Sequence, residues 1–158
     1  MDGFAGFRIR EMKPEDLDEV MAIEAVSFPT PWSRRLFEEE IERDFSDALV
    51  AVSTEGEGVL GYTICWNVAD ESHLLNIAVR PDARGRGVGS VLVAECIRRG
   101  AGAGAGRIHL EVRAGNVPAI RMYERKGFSF VGIRRGYYTD TGEDAVLYSR
   151  ALRRSDAS

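Results

Sequence analysis

Leu75-Asn76-Ile77-Ala78-Val79-Arg80-Pro81, running through Asp82-Ala83 into Arg84-Gly85-Arg86-Gly87-Val88-Gly89-Ser90, is the stretch on which the reading of this 158-residue chain turns. An apolar run halted by proline reads as a strand. The glycine cluster after it opens onto Val88, Val91, Leu92 and Cys96, which share one face at helical spacing. A strand feeding a glycine loop at a helix start is a phosphate-binding geometry. The first amides of a helix lack intrahelical partners and carry the positive end of its dipole, and glycines let a bulky phosphate come close to them. A P-loop requires Lys followed by Ser or Thr after its second glycine, and a dinucleotide fold requires a different glycine spacing; neither is present.

Upstream, Phe7 to Met12 alternates apolar and charged residues as a strand does, and a helix is expected at about 14–25 with Leu17, Val20, Met21 and Glu24 on one face. Val26-Ser27-Phe28-Pro29-Thr30-Pro31-Trp32 has two prolines in three residues and is predicted to be a shaped loop. Ser33 then caps a second helix running to about Arg43, with Phe37 and Ile41 inward. Strands are expected near 47–53, 59–67 and 71–80; the short turns Glu55-Gly56-Glu57-Gly58 and Ala69-Asp70 favour antiparallel pairing. Downstream of the glycine-loop helix, Ala101 to Gly106 reads as a flexible connector and Arg107 to Arg113 as a strand. Asn116 caps a helix that has Pro118 in its first turn and closes at Gly127, and strands at about 128–138 and 144–151 flank Asp140-Thr141-Gly142-Glu143. The sum is an α/β fold of the mixed α+β kind, with a mostly antiparallel central sheet of about seven strands flanked by about four helices.

The length suits one domain over 1–158, with a core at about 7–151 and a short flexible C-terminal tail. Twenty-five acids against 21 bases leave a formal charge of −4, so attraction to nucleic acid is not expected and a basic partner is. Nineteen of the bases are Arg, a skew attributed to coding composition. Cys65 and Cys96 lack the spacing of a disulfide framework or zinc site and suit a reducing cytoplasm. No apolar run approaches the roughly 18–20 residues of a membrane span, and the opening residues lack a basic flank ahead of an apolar stretch, so neither membrane insertion nor export is expected.

Arg84 to Gly89 satisfies the Arg/Gln-x-x-Gly-x-Gly/Ala pattern of the acetyl-CoA-dependent N-acetyltransferase (GNAT) superfamily, which the chain resembles. The resemblance extends to the RimI-type protein N-terminal alanine acetyltransferases. Ser27-Phe28-Pro29-Thr30-Pro31-Trp32-Ser33, Leu75 to Val79, Leu110-Glu111-Val112-Arg113 with Asn116, Met122-Tyr123-Glu124 with Gly127-Phe128, and Gly136-Tyr137-Tyr138 with Glu143-Asp144-Ala145 stand in that family's order over residues 7 to about 151. Gly115, where a Ser often precedes the Asn, and the Ala/Gly connector depart from it.

The resemblance implies acetyl-CoA as co-substrate and no metal. It implies that Ile77, Ala78 and Val79 hold the pantetheine arm and acetyl carbonyl through their backbone, that Arg84, Gly85, Arg86, Gly87, Val88, Gly89 and Ser90 form the pyrophosphate loop, and that Asn116 contacts the cofactor. Glu111 matches the general base, and alternation places it with His109 and Arg113 away from Ile108, Leu110 and Val112. Tyr123 matches the general acid, although its spacing alone reads as core packing. Phe28, Trp32, Tyr137 and Tyr138 are expected to wall a groove for a peptide end. His73 and His109 have no ligand at metal spacing and read as ordinary strand histidines. The implied reaction acetylates the α-amine of a protein N-terminus, the alanine of a basic small-subunit ribosomal protein. The alternatives are a GNAT acting on a lysine side chain or small amine, and a non-catalytic CoA-binding module.

Overall fold

The computed structural model describes residues 3–4 and 6–158. The expectation of no leader rests in part on residues 1, 2 and 5, which lie outside them. Strands β1 (Gly3–Phe4), β2 (Phe7–Glu11), β3 (Ser46–Ser53), β4 (Val59–Val68), β5 (Glu71–Val79), β6 (Arg107–Arg113), β7 (Ser129–Tyr138) and β8 (Glu143–Ala151) form one sheet in the order β1-β2-β3-β4-β5-β6-β8-β7. The seven expected strands are present, and β1 is a two-residue addition at one edge. Every neighbouring pair is antiparallel except β5 and β6.

Helices α1 (Leu17–Ser27) and α2 (Arg34–Glu42) cover one face of the sheet, α3 (Val88–Gly102) and α4 (Val117–Arg125) the other. Leu17, Val20 and Phe37 pack against Val50, Tyr62 and Ile64 on the first face. On the second, Val93, Cys96 and Tyr123 pack with Cys65, Ile108, Leu110 and Tyr148. Both cysteines are buried and unpaired. The Ser33 hydroxyl accepts from the Leu36 amide at 3.2 Å, and the Asn116 side chain accepts from Ala119, so both expected caps form.

Two irregularities shape the middle of the sheet. Opposite Ile64 and Cys65 the register skips Leu75, so β5 bulges there and the side-chain alternation changes sides. Leu74 joins the α3 core, while Leu75, Asn76 and Ala78 face α1. The parallel pairing of β5 with β6 runs from Glu71 opposite Arg107 to Leu74 opposite Leu110 and then stops. β5 continues to Val79 and β6 to Arg113, the latter paired with β8, so the two strands part and leave the upper edge of β5 without a ladder partner.

Two stretches expected to be loose are built in. Ala101 and Gly102 extend α3, and Ala105 is buried, with Ala105 N bonded to the Gly100 carbonyl and Gly106 N to that of Asp70. The tail after β8 folds as a 3-10 turn over Arg154–Ala157, in which Asp156 takes both terminal nitrogens of Arg150 at 3.1 Å and the Arg153 amide. A side-chain anchor holds one and backbone hydrogen bonds the other, which composition does not reveal.

Gly61 on β4 is a close meeting of two strands with a helix. A Cβ there would lie 2.8 Å from the Ala78 carbonyl oxygen and 3.1 Å from Val88 at the start of α3. Gly61→Ala is therefore expected to cost about 1–3 kcal/mol through overpacking and to lower the melting temperature by several degrees, read by calorimetry. An unchanged melting temperature would mean that strand and helix separate at no cost.

Candidate active site

Where β5 and β6 part, a cleft of about 370 Å³ opens on the α1 side of the sheet. Glu111, Tyr123, Ile77, Asn116, Phe28, Trp32, Tyr137 and Tyr138, eight residues named from the sequence, all line it. Elements distant along the chain meet here because the parted strands leave a slot and the two loops arch over it.

Glu111 is carried by β6 with its carboxylate half-buried. His73 on β5 places Nε2 2.6 Å from Glu111 Oε2, and since a carboxylate only accepts, Nε2 carries the proton. That hydrogen bond holds the Glu111 carboxyl below the usual carboxylate range, against the opposing effect of burial. Oε1 makes no hydrogen bond among the described residues. His73, read as an ordinary strand histidine, thus belongs to the site, and His109 beside it on β6 stands 3.4 Å from Glu71 without hydrogen-bond alignment. Glu111 also borders a more open hollow of about 610 Å³ lined by Trp66, Glu71, His73, His109, Val131 and Leu147, which connects the carboxylate to solvent. Among the described residues no group of His, Cys, Asp and Glu is arranged to hold a metal ion.

Tyr123 comes from α4 on the opposite side of the slot. Its ring is 3% exposed, edge-on to Phe128 at 5.7 Å, and burial raises the phenol above its ordinary value. Core packing and a place in the cleft wall are therefore both true of it: the ring is fixed by the core, and the hydroxyl has no hydrogen-bond partner among the described residues.

Glu24 was missed from the sequence. It lies at the helical spacing of buried residues on α1, is 1% exposed and lines the cleft floor. It accepts from Asn76 Nδ2 at 2.9 Å, from the backbone amide of Trp32 at 2.9 Å and from the Tyr62 hydroxyl. The Trp32 contact pins the proline loop, whose aromatic ring leans on Phe37 at 5.3 Å, so Trp32 is partly a core residue. An acid on an otherwise apolar helix face was the available signal.

The hairpin between β7 and β8 forms the other wall. Its register breaks between Arg134 and Tyr138, where Gly136 adopts φ +60° and its amide bonds Asp144 at 2.8 Å. This bulge turns Tyr137 and Tyr138 toward the cleft, edge to face at 5.1 Å, and burial pushes the Tyr138 phenol up to about 12. Arg113 lies 4.0 Å over the Tyr138 ring and pairs with Asp140 at 2.9 Å. Thr30 on the proline loop lies beside Asp140, so the two walls approach each other there. Of the charged residues lining the cleft, Glu24, Glu111 and Asp140 face a single cation, Arg113, which Asp140 engages. Glu111, with one oxygen open, is thus left to attract a cationic amine.

The cofactor residues divide by role. The side chains of Ala78 and Val79 pack into the core, leaving their backbone as the part near the slot. Gly85 and Gly87 hold φ of +82° and +83°, and a Cβ at either would meet nothing within 4 Å, so the loop stands open at the N-terminus of α3, where Gly87 is the cap and supplies no side-chain acceptor. The open amides, the left-handed glycines and the unpaired edge of β5 fit a long phosphate-bearing thioester such as acetyl-CoA. Arg86 turns away: its guanidinium is taken up by Glu57. Asn116 Oδ1 serves as the cap of α4, so only its amide nitrogen is free to contact a cofactor.

Residues 17–128 match the acetyltransferase (GNAT) family. The Escherichia coli protein named ribosomal protein bS18-alanine N-acetyltransferase is 36% identical over 142 residues, covering 88% of this chain and 93% of that protein. An N-alpha-acetyltransferase of Sulfurisphaera tokodaii is 30% identical over 159 residues, covering 92% and 93%. The crystal structure of the ribosomal-protein-S18-alanine N-acetyltransferase from Escherichia coli superposes with a TM-score of 0.82 at 32% identity, covering 92% of this chain and 94% of that one. With the parted strands, the glycine loop at the start of α3 and relatives matched over almost their whole length, this chain belongs to the GNAT acetyltransferase family.

Proposed function

We propose that this chain, as one acetyltransferase domain over 1–158, acetylates the α-amine of a protein N-terminus with acetyl-CoA, and that its substrate is the N-terminal alanine of a basic small-subunit ribosomal protein. The observation that carries an amine substrate is the cleft in which the Glu111 carboxylate, with one oxygen open, lies between an aromatic loop and an aromatic hairpin. The relatives named for bS18 alanine acetylation and for N-alpha-acetylation support the α-amine over a lysine. No helix among the described residues is long and apolar enough to cross a membrane, and the two unpaired cysteines suit a reducing cytoplasm.

Acetyl-CoA supplies an acetyl thioester when bound. The amides of the 85–90 loop hold its phosphates, and the free backbone edge at Ile77 to Val79 takes the pantetheine arm. Glu111, held by His73 through one oxygen, offers the other to the substrate amine through water. As the nitrogen bonds the acetyl carbon and the carbon–sulfur bond breaks, the amine proton passes to Glu111 and on to solvent through the open hollow. Tyr123 gives its phenolic proton to the departing sulfur and recovers one from solvent. The phenol's raised value keeps it protonated throughout the neutral range, which suits a donor. Phe28, Trp32, Tyr137 and Tyr138 wall the path of the peptide.

Mass spectrometry of a peptide panel tests the substrate. Alanine-initiated peptides followed by basic residues are expected to gain one acetyl group at the α-amine, while α-blocked peptides with internal lysines are not. Modification of lysines alone would overturn the reading, and binding of acetyl-CoA without turnover would leave a CoA-binding module.

Glu111 is ionised far below neutrality, so the ordinary α-amine, with a pKa near 8, sets the rise of kcat/KM between pH 6.5 and 9. Glu111→Gln is expected to lose most turnover at pH 7 and recover part of it by pH 9, where the amine is already neutral. Parallel profiles would reduce Glu111 to a positioning role. The sign for stability is the opposite of a raised group's: the bond to Glu111 contributes fully above its unfolded pKa of about 4.3 and is lost as the pH falls from there through its lower folded value.

Tyr123→Phe keeps the ring in the core and removes one hydroxyl. It is expected to fold and bind acetyl-CoA normally with turnover reduced by about 10- to 1000-fold. Unchanged turnover would show that solvent protonates the thiolate.

A further inference from the structure

The turn between β3 and β4, far from the cleft in sequence and absent from its lining, is tied to the glycine loop. Arg86 Nη1 and Nη2 donate in parallel to Glu57 Oε1 and Oε2 at 2.9 and 3.0 Å. These are the only side-chain hydrogen bonds that residues 84–87 make among the described residues. Buried Ala83 and Val88 hold the two ends of the loop, but between them Gly85 and Gly87 sit in left-handed backbone with nothing within 4 Å of where a Cβ would stand.

The turn itself is anchored on three sides. The Val59 amide donates to Glu19 of α1 at 2.8 Å, the Ser53 amide to the Gly58 carbonyl at 2.8 Å, and Arg80 at the end of β5 donates to the Glu57 carbonyl at 2.7 Å and the Val59 carbonyl at 3.2 Å. Glu57 therefore reaches the loop from a fixed platform. With both terminal nitrogens turned to a carboxylate, the Arg86 guanidinium is neutralised and aimed away from the loop amides. Arg84, which has no ion pair among the described residues, is left as the loop's available cation.

We propose that Glu57 is a positioning residue that braces the phosphate loop through Arg86, holding the Gly85 and Gly87 amides in the conformation that receives the cofactor's phosphates. This rests on the assignment of residues 84–90 as that loop. Direct contact of Arg86 with a phosphate has the opposite consequence for Glu57. A brace makes loss of Glu57 weaken binding, whereas a contact makes it neutral or favourable, because an acid near the phosphates has been removed.

The test is calorimetric binding of CoA to the full chain without peptide, for Glu57→Gln, Arg86→Gln and the double variant, with Glu55→Gln as the control. The brace predicts that each single variant weakens CoA about two- to fivefold, the range for an exposed bidentate pair, and that the double variant is no weaker than the worse single one. Glu55→Gln should bind normally, and the peptide KM should not move. Amide exchange over residues 84–89 of the free protein should quicken in both single variants. Unchanged or tighter CoA binding by Glu57→Gln, additive losses in the double variant, or unchanged loop exchange would each overturn the brace. Failure of the unaltered protein to bind CoA would overturn the loop assignment itself, and the exchange measurement would still decide whether Glu57 orders the loop.

Discussion

The end of hydrogen bonding between β5 and β6 after Leu74 and Leu110 is the constraint on which the site depends. Buried backbone groups must be paired, and two parallel strands that part inside a sheet leave their facing edges unsatisfied unless something enters. Here β6 keeps only β8, on its far edge, and the upper half of β5 keeps only β4. A slot between two strand edges without a ladder is the result. In the proposed function an extended arm adds to it as a strand would, with its phosphate end at the glycine loop because β5 leads directly there.

The bulge at Leu75 supplies the second half of the arrangement. By reversing the alternation it sends Asn76 to the α1 face, where it donates to the buried Glu24 carboxylate. Glu24 also holds the backbone of Trp32, so one carboxylate joins the floor of the cleft to the loop above it. A buried acid without partners is costly; three donors offset that cost and fix the loop's position. On the far wall, Arg113 over Tyr138 and Asp140 against Thr30 close the arch. Substrate chemistry follows from this balance: the one lining cation is engaged by Asp140, and Glu111 keeps one oxygen open to the cleft.

His73 and Arg86 show where reading from the sequence stops. His73 carries no motif and sits 38 positions from Glu111, yet parallel pairing at the foot of the slot brings them within hydrogen-bond reach and sets which Glu111 oxygen is free. Arg86 lies inside the motif, and its guanidinium is bonded to Glu57 of the turn between β3 and β4, a partnership that spacing does not encode. The Ala/Gly connector and the tail were misjudged for a related reason. Low-complexity composition reports a weak local preference, and tertiary hydrogen bonds from Asp70 and Arg150 override it.

By itself the sequence determined the strands and helices, their caps at Ser33 and Asn116 and the glycine loop at the start of α3, while family motifs pointed to Glu111 and Tyr123, which line the cleft. The elements, caps and turns are local: a cap, a turn or a period of apolar residues acts within a few positions, so one chain without relatives suffices to read them, whereas Glu111 and Tyr123 needed the family's pattern. Only the tertiary structure decided the parting of β5 from β6, the face reversal at Leu75, the partnership of Glu111 with His73, the burial of Glu24 and the anchoring of Arg86. Each is a contact between segments brought together by the sheet, and its geometry is set by long-range pairing register, a property that no short stretch of residues carries.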